Sequence, residues 1–388
     1  MKKTLMPTQF QPVPPDAAGV ISWIHIGDPH MVRAGEQNDL DLQGIVKVVN
    51  RCFADSVCFV YLPGDIADDG SRGAYLVVRS ALDKLEAPWC AIVGDHDVHE
   101  KSLANYAEHI RSEPYYAFTA GRIRFLALNA FDIPHPASFS ILTEQLGWLE
   151  GELRSSQSRG ERVVLLLHCY PTDLKTGAEE LIALIRRYEV RLIDMGHTHY
   201  NEIANDGKTI YTATRSTGQI EEGPAGFSVT NFDGEDTSWR FFELGGELPA
   251  VMITCPTDER LMTPAAAAVE RGRMRVRAKI WSTERISRVE AWFGDELDGR
   301  RGELSPVSGS RVWEGFLSTE GIGEGVHSLR VEAEEAGGSI SGDTIRVLFG
   351  NPERCDRHPR DQDNAIGAWP EHGLLGTQLG PNKNGRKW

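Results

Sequence analysis

Nowhere in these 388 residues is there a run of about 18 apolar side chains, the length that carries a helix across a bilayer. The opening stretch MKKTLMPTQFQPVPPDAAG has two lysines, but prolines interrupt it before any apolar segment of signal-peptide length. Residues 1–20 therefore read as an extension, not an export signal. Basic side chains are scarce beside acidic ones: 41 Lys and Arg against 56 Asp and Glu leave a net charge of -15. That balance disfavours electrostatic capture of nucleic acid or an anionic membrane. Cysteine is sparse too. Cys52, Cys58, Cys90, Cys169, Cys255 and Cys355 show neither a paired nor a zinc-finger spacing, and Cys58 and Cys90 sit in apolar runs. They read as buried free thiols in a reducing compartment. Internal repeats and low-complexity tracts are also missing. What these absences leave is a soluble, cytoplasmic protein of two or three folding units with a small substrate.

From residue 21 onward short apolar runs alternate with helix-period segments, the pattern of layered α/β structure. GVISWIHIGD, SVCFVYLPGD and PWCAIVGDHD predict strands, with LQGIVKVVNRCF and GAYLVVRSALDKL as the helices between them. All three strands reach a Gly-Asp, and the carboxyl ends of strands are where open α/β sheets bind ligands. The alternation continues through RIRFLALNAF, LTEQLGWLEGEL, RVVLLLHCYP, AEELIALIRRY and VRLIDMGHTH. After His199, KTIYTATRST and GFSVTNFDGEDTSWRFFEL predict strands joined by turns. They imply a second, antiparallel sheet and a sheet sandwich flanked by helices.

A boundary near LGGELPAVMITCP closes a unit at residues 21–248. Beyond it RMRVRAKIWS alternates strictly, with Met274, Val276, Ala278 and Ile280 on one face and Arg273, Arg275, Arg277 and Lys279 on the other. The basic stripe reads as the solvated face of an edge or outer strand, the alternative being a grip on an anion or acidic partner. Further short strands with Gly-rich turns suggest an immunoglobulin-like β-sandwich over residues 249–350. Residues 351–388 are rich in turn formers yet carry Trp369, Leu374, Leu375, Leu379 and Trp388. So apolar a tail packs on its own chain or on a neighbouring subunit.

The polar residues at strand ends are Asp28 and His30 in GDPH, Asp65 in LPGD, Asp95, His96 and Asp97 in GDHD, His168 in LLLHCYP, and His197 and His199 in GHTH. Carboxylates and imidazoles are ligands that manganese, iron and zinc accept. An i, i+2 pair in a strand-ending loop can aim both side chains into one pocket. Singly, each residue has an ordinary explanation as a turn, a cap or a satisfied core histidine. Together at one sheet edge they suit two metals sharing one carboxylate.

In that order and at similar intervals, D-x-H, G-D, G-N-H-[D/E], H and G-H-x-H resemble the signature of the calcineurin-like metallophosphoesterases, over residues 21 to about 245. TATRSTGQIEEGPAGFSV, following GHTH, resembles the bacterial cyclic-nucleotide and glycerophosphodiester phosphodiesterase branch. The resemblance implies a four-layer α-β-β-α sandwich. It implies one metal on Asp28, His30, Asp65 and His199 and another on Asp65, Asp95, His168 and His197, with Asp65 as the bridge. The ions would be divalent or mixed-valence manganese, iron or zinc, and a hydroxide bridging them would attack a small phosphodiester. His96 suits a group that protonates the leaving alkoxide. Asp97 would either orient the His96 ring or cap the helix SLANYAEHI. Arg215 would contact substrate or hold a carboxylate, and His99 would line the pocket. The family usually has Asn where Asp95 stands, and the added charge favours monoanionic diesters over dianionic monoesters. A nuclease uses the same motifs but calls for a basic groove; a non-catalytic scaffold predicts lost ligands, and here every ligand position is filled. The C-terminal sandwich and tail would shape the substrate entrance or form a homo-oligomer contact.

Overall fold

A run such as VVLLL at residues 163–167 has no polar face, so as a strand it must be covered on both sides. The computed structural model describes residues 10–131, 138–263, 272–294, 301–350 and 366–375. It opens with β1 Ile21–His25, α1 Gln37–Val48, β2 Phe59–Leu62, α2 Arg72–Leu82, β3 Trp89–Ala91, α3 Ala104–His109, β4 Tyr116–Ala120 and β5 Ile123–Ala127. Then come α4 Thr143–Arg159, β6 Arg162–Leu167, α5 Ala178–Arg187, β7 Leu192–Met195, β8 Glu202–Asn205, β9 Ile210–Ala213, β10 Gly226–Asp233 and β11 Asp236–Glu243.

Among the described residues these strands form two mixed sheets, ordered β11-β10-β1-β2-β3 and β4-β5-β6-β7-β9-β8. The strands β1, β2 and β3 are parallel, as are β5, β6, β7 and β9. The sheets meet through aromatic rings. Phe125 lies 5.3 Å from Trp23 and 5.0 Å from Phe59, which in turn lies 5.1 Å from Phe118. Beside these rings Asp194 of β7, fully buried, accepts from the Trp23 indole at 2.8 Å and lies 2.7 Å from His25 Nδ1 of β1. The other face of the first sheet is covered by Leu42 and Ile45 of α1 and Tyr75 and Val78 of α2. Leu149 and Leu153 of α4 and Leu181 and Ile185 of α5 cover the second. Local signals set the helix ends: the Ser71 hydroxyl caps α2, and Gly160, at φ 64°, ends α4 in the left-handed region.

The strands after His199 do not make an antiparallel sheet of their own, which corrects the expectation above. β8 and β9 extend the second sheet beside β7, while β10 and β11 cross to the first, where β10 pairs antiparallel with β1. Periodicity marks a strand but carries no address for its neighbour.

The remaining strands are β12 Ala250–Cys255, β13 Arg273–Trp281, β14 Ile286–Phe293, β15 Gly302–Glu303, β16 Ser305–Pro306, β17 Val312–Ser318, β18 Gly325–Glu335 and β19 Ile340–Phe349. They form sheets ordered β12-β13-β17-β16 and β15-β14-β18-β19. Met274, Val276, Ala278 and Ile280 share a buried cluster with Val289, Val331 and Val347. The basic face of β13 is only half solvated. Arg273 and Arg275 are exposed, but Arg277 and Lys279 are buried against the first half of the chain. Arg277 pairs with Asp233 and donates to the Ala18 carbonyl at 2.9 Å. Lys279 donates to Ser22 Oγ at 2.7 Å and to the Ser56 carbonyl. Alternation separates the two faces of a strand; it does not reveal that the polar face docks on partners elsewhere in the chain.

Trp369 and Leu374 are buried and Leu375 is 41% exposed, while Leu379 and Trp388 lie outside the described residues. Cys52, Cys58, Cys90 and Cys169 are buried free thiols, and Cys355 is outside the described residues. No described helix is long and apolar enough to cross a membrane.

Burial pushes the Lys279 ammonium down to about 8, against the pull of Asp16 and other neighbours. Between pH 8 and its ordinary value the unfolded chain holds this proton and the folded chain does not, so folding stability rises with pH across that window. The rise from this one group is up to about 3 kcal/mol. Lys279→Met is expected to lack it, as read from denaturant unfolding curves at pH 8 and pH 10 for both proteins.

Candidate metal centre

The loops after β1, β2, β3, β6 and β7 converge, and their polar side chains fall into two overlapping quartets. Asp28, His30, Asp65 and His199 form one, and Asp65, Asp95, His168 and His197 the other, the ligand atoms of each lying within 4.8 Å of one another. Asp65 Oδ2 belongs to both: it is 3.5 Å from His30 Nε2 and 3.5 Å from His168 Nε2. Asp95 Oδ1 is 3.1 Å from His168 Nε2 and 3.4 Å from His197 Nδ1. The structure thus brings together all seven residues proposed as ligands.

The backbone is bent to do this. Seven described non-glycine residues have positive φ, and four are His30 at 42°, Asp65 at 48°, His197 at 67° and His199 at 64°. Such conformations are sparsely populated and are held by their surroundings, often at functional sites. Glycine supplies the clearance. A Cβ on Gly94 would collide with the backbone and carboxylate of Asp65, and one on Gly196 with the Asp28 carboxylate.

The donor set fits divalent cations. Asp28 Oδ1 is buried without a hydrogen-bond partner, while its Oδ2 accepts from the His197 backbone N–H at 2.7 Å. His30 Nε2 and His199 Nε2 face each other at 3.0 Å, as two imidazoles do around a shared positive centre. Outer partners aim the rings. His168 Nδ1 donates to the Pro63 carbonyl at 2.7 Å, turning Nε2 into the pocket. His30 Nδ1 lies 3.3 Å from Asp68 Oδ1, and Gln219 Nε2 donates to that same oxygen at 2.8 Å.

Burial and neighbouring charges pull the cluster's groups in different directions. Burial opposes the charge on Asp95, but hydrogen bonds from His168 and His197 hold its carboxyl far below the usual range. Burial likewise opposes a charged His168, yet Asp65 and Asp95 hold it well above the ordinary imidazole value. Burial alone dominates at Asp28, which is raised, and at His30, which is lowered.

His96 stands beside this core. Its backbone N–H donates to Asp65 Oδ1 at 2.8 Å, and its Nδ1 donates to the Asp68 carbonyl at 2.7 Å. The side chain is 37% exposed. Burial works against its charge, but Asp65 and the Asp68 carbonyl outweigh it and raise the imidazole above its usual value.

Asp97 does neither job expected of it. Its Oδ1 accepts from the backbone N–H groups of Ile66 at 3.1 Å and Ala67 at 3.2 Å and from the Tyr75 hydroxyl at 2.9 Å, and its Oδ2 from Gly94 at 2.9 Å. It is a buried strut between the loops after β2 and β3, and α3 begins beyond it after Leu103. Burial and the charge of Asp65 push its carboxyl up to about 7. Arg215 is buried, and of its two expected roles the structure favours the carboxylate contact, its guanidinium lying 3.9 Å from Glu243 Oε1. Only 1% exposed, its guanidinium donates to the carbonyls of Glu222, Pro224 and Gly373 and lies 4.0 Å from the Phe241 ring. His99 sits outside both quartets, with Nδ1 3.0 Å from the Asp69 carbonyl.

Sequence reasoning missed three neighbours of the pocket. Asp68 follows Asp65 by three residues in GDIADDG, and that spacing was the available signal. Gln219 and Phe139, whose ring lies 4.8 Å from that of His197, carried none.

Two quartets of potential metal ligands joined by one carboxylate, at the strand ends of a mixed α/β fold, suit two-metal hydrolytic chemistry. Residues 22–201 match the family model described as calcineurin-like phosphoesterase. A probable cyclic nucleotide phosphodiesterase of Synechococcus is 30% identical over 193 residues, covering 46% of this chain and 73% of that protein. A probable glycerophosphodiester phosphodiesterase of Arcobacter nitrofigilis is 26% identical over 155 residues, 36% of this chain and 56% of that one. The fold is also that of a dimetal phosphatase from Danio rerio, with a TM-score of 0.50 at 17% identity, covering 59% of this chain and 98% of the other. The chain belongs to the calcineurin-like phosphoesterases.

Removing the shared carboxylate should empty both sites. Asp65→Ala is expected to lower bound metal more than about tenfold, by elemental analysis of protein loaded with manganese and desalted. Gly94→Ala, which pushes on Asp65 without removing it, should fall between that variant and the parent.

Proposed function

We propose that the chain hydrolyses small phosphodiesters, cyclic nucleotides or glycerophosphodiesters, at a dinuclear centre held by the two quartets. The observation that carries this reading is the placement of Asp65 Oδ2 midway between His30 and His168, one from each quartet. Two divalent ions bound there would neutralise charge on the phosphoryl oxygens and make water a nucleophile near neutral pH.

The chain's own residues supply the rest. Asp28, Asp65 and Asp95 offer three carboxylates, and His30, His168, His197 and His199 four imidazoles, of which His168 and His30 are held by outer contacts to the Pro63 carbonyl and to Asp68. His96 holds a proton and donates it to the departing alkoxide. Its upward shift, driven by Asp65 and the Asp68 carbonyl, is in the direction a general acid needs. Residues 21–248 are the catalytic unit, read as a four-layer α-β-β-α sandwich. Residues 249–350 are read as an immunoglobulin-like sandwich docked on it through Arg277 and Lys279.

Asp95 tunes the choice of ester. An ionised carboxylate is an acceptor only, whereas Asn offers a neutral carbonyl and an N–H donor for phosphate oxygens. Its extra negative charge weakens attraction for a dianionic monoester more than for a monoanionic diester.

The test is a panel of phosphomonoesters, linear diesters and cyclic nucleotides assayed with manganese-loaded protein. Diesters are expected to turn over fastest. His96→Ala should cost about 10²–10⁴-fold in kcat, with the smaller loss for substrates whose leaving group needs no proton. In Asp95→Asn the monoester-to-diester ratio of kcat/KM should rise; an unchanged ratio removes Asp95 from the account of specificity.

A further inference from the structure

The segment 366–375 is anchored from several sides. His372, 1% exposed, lies 2.8 Å from the Trp239 carbonyl through Nδ1 and 2.7 Å from Asp343 Oδ1 through Nε2. Trp369 stacks on His372 at 3.7 Å and carries the Arg260 guanidinium 3.6 Å from its ring. The Ile366 N–H donates to the Ile203 carbonyl at 3.0 Å.

From this anchorage hydrogen bonds lead to Asn201 and Arg215, and the chain after Arg215 leads on to the pocket. The Gly373 carbonyl accepts from Asn201 Nδ2 at 2.8 Å and from the Arg215 guanidinium at 3.4 Å. Asn201 is two residues beyond His199; its Oδ1 accepts from the Arg215 N–H at 2.8 Å and its own N–H donates to Glu222 Oε1 at 2.7 Å. The residues that follow Arg215 grip the first quartet. Ser216 Oγ and the Gly218 N–H donate to the Asp28 carbonyl at 2.8 and 3.1 Å, and Gln219 Nε2 reaches Asp68 at 2.8 Å, with His30 Nδ1 3.2 Å away. There is little slack in this path: Gly373 has φ 84°, and a Cβ there would lie 2.6 Å from Phe241 Cβ.

We propose that segment 366–375 is a positioning element of the metal centre, acting through Asn201 and Arg215 on the loop that holds Asp28 and His30. The proposal rests on reading Asp28, His30, Asp65 and His199 as a metal site. It assigns Arg215 a role that substrate contact does not describe. It also makes the two sites unequal, since the path ends on the loop of Asp28 and His30, and touches the other quartet only through the His197 N–H on Asp28 and the shared Asp65.

The experiment is a manganese titration by calorimetry on the full chain, its His372→Phe and Gly373→Ala variants, and Leu317→Ala as a core change on β17 away from the segment. The parent and Leu317→Ala are expected to bind two equivalents with matching constants. Both segment variants should bind one equivalent normally and the other at least about tenfold more weakly. His372→Gln, which keeps one polar partner, should recover part of that loss. If the parent binds fewer than two equivalents, the metal reading fails and takes this proposal with it. If the parent binds two and either segment variant, folded by its melting curve, matches it at both sites, the metal reading stands and the positioning role is overturned.

Discussion

One buried carboxylate, that of Asp65, constrains the rest of the site. Its Oδ2 is shared by two histidines carried on different sheets, and its Oδ1 accepts the His96 N–H from the loop after β3. A charge at 1% exposure is costly unless opposite charge or hydrogen bonds surround it. Asp65 nonetheless sits below the usual carboxyl range: burial raises it, and the charge of His168 and other neighbours more than compensates. That compensation requires loops from both sheets to arrive within hydrogen-bonding reach. The left-handed backbone at Asp65 and the missing side chain at Gly94 are local consequences of the same demand.

Such reach depends on how the two sheets are aligned. Aromatic packing between Trp23, Phe59, Phe118 and Phe125 supplies much of the adhesion, but rings tolerate sliding. Hydrogen bonds do not. Asp194 joins β7 to β1 through Trp23 and His25, three residues before Asp28 on one strand and three before His197 on the other. The same division of labour recurs where β13 meets the first half of the chain: apolar surface buries area, while Arg277 and Lys279 find fixed partners. Buried polar groups contribute little net stability, but leaving one unpaired in a slipped arrangement is expensive, which favours a single register.

The residues of the two quartets were legible because their chemistry is written at strand ends. An apolar run names the strand, Gly-Asp names its end, and the i, i+2 spacing of Asp28 with His30 and of His197 with His199 aims two side chains together. Side chains whose role depends on nearby backbone were not legible. Asp97 lies between His96 and His99 in chain order, yet its four donors come from Ile66, Ala67, Tyr75 and Gly94, three of them on another loop or helix. Gln219 and Arg215 occupy a stretch with no period, so nothing in the pattern says that one turns to the pocket and the other away. Most strands were similarly readable, though β4 was not read, while the division of β8 to β11 between two sheets was not, because pairing is decided by packing and not by alternation.

The electrostatics of the pocket explain why its polarity is arranged in shells. Three ligand carboxylates concentrate negative charge in a chain already at -15, so the core attracts cations and resists further anions. A phosphate ester can approach only when bound cations have inverted that field. Even then, each additional ligand charge reduces the residual attraction for the ester. Asp95, paired to both His168 and His197, cannot shed its charge by protonation at neutral pH, because the two imidazoles stabilise the ionised form. On the proposed reading, the centre would favour retaining metal over attracting the ester. The proposed proton donor, His96, adds no negative charge there, and its Nδ1 is held by the Asp68 carbonyl.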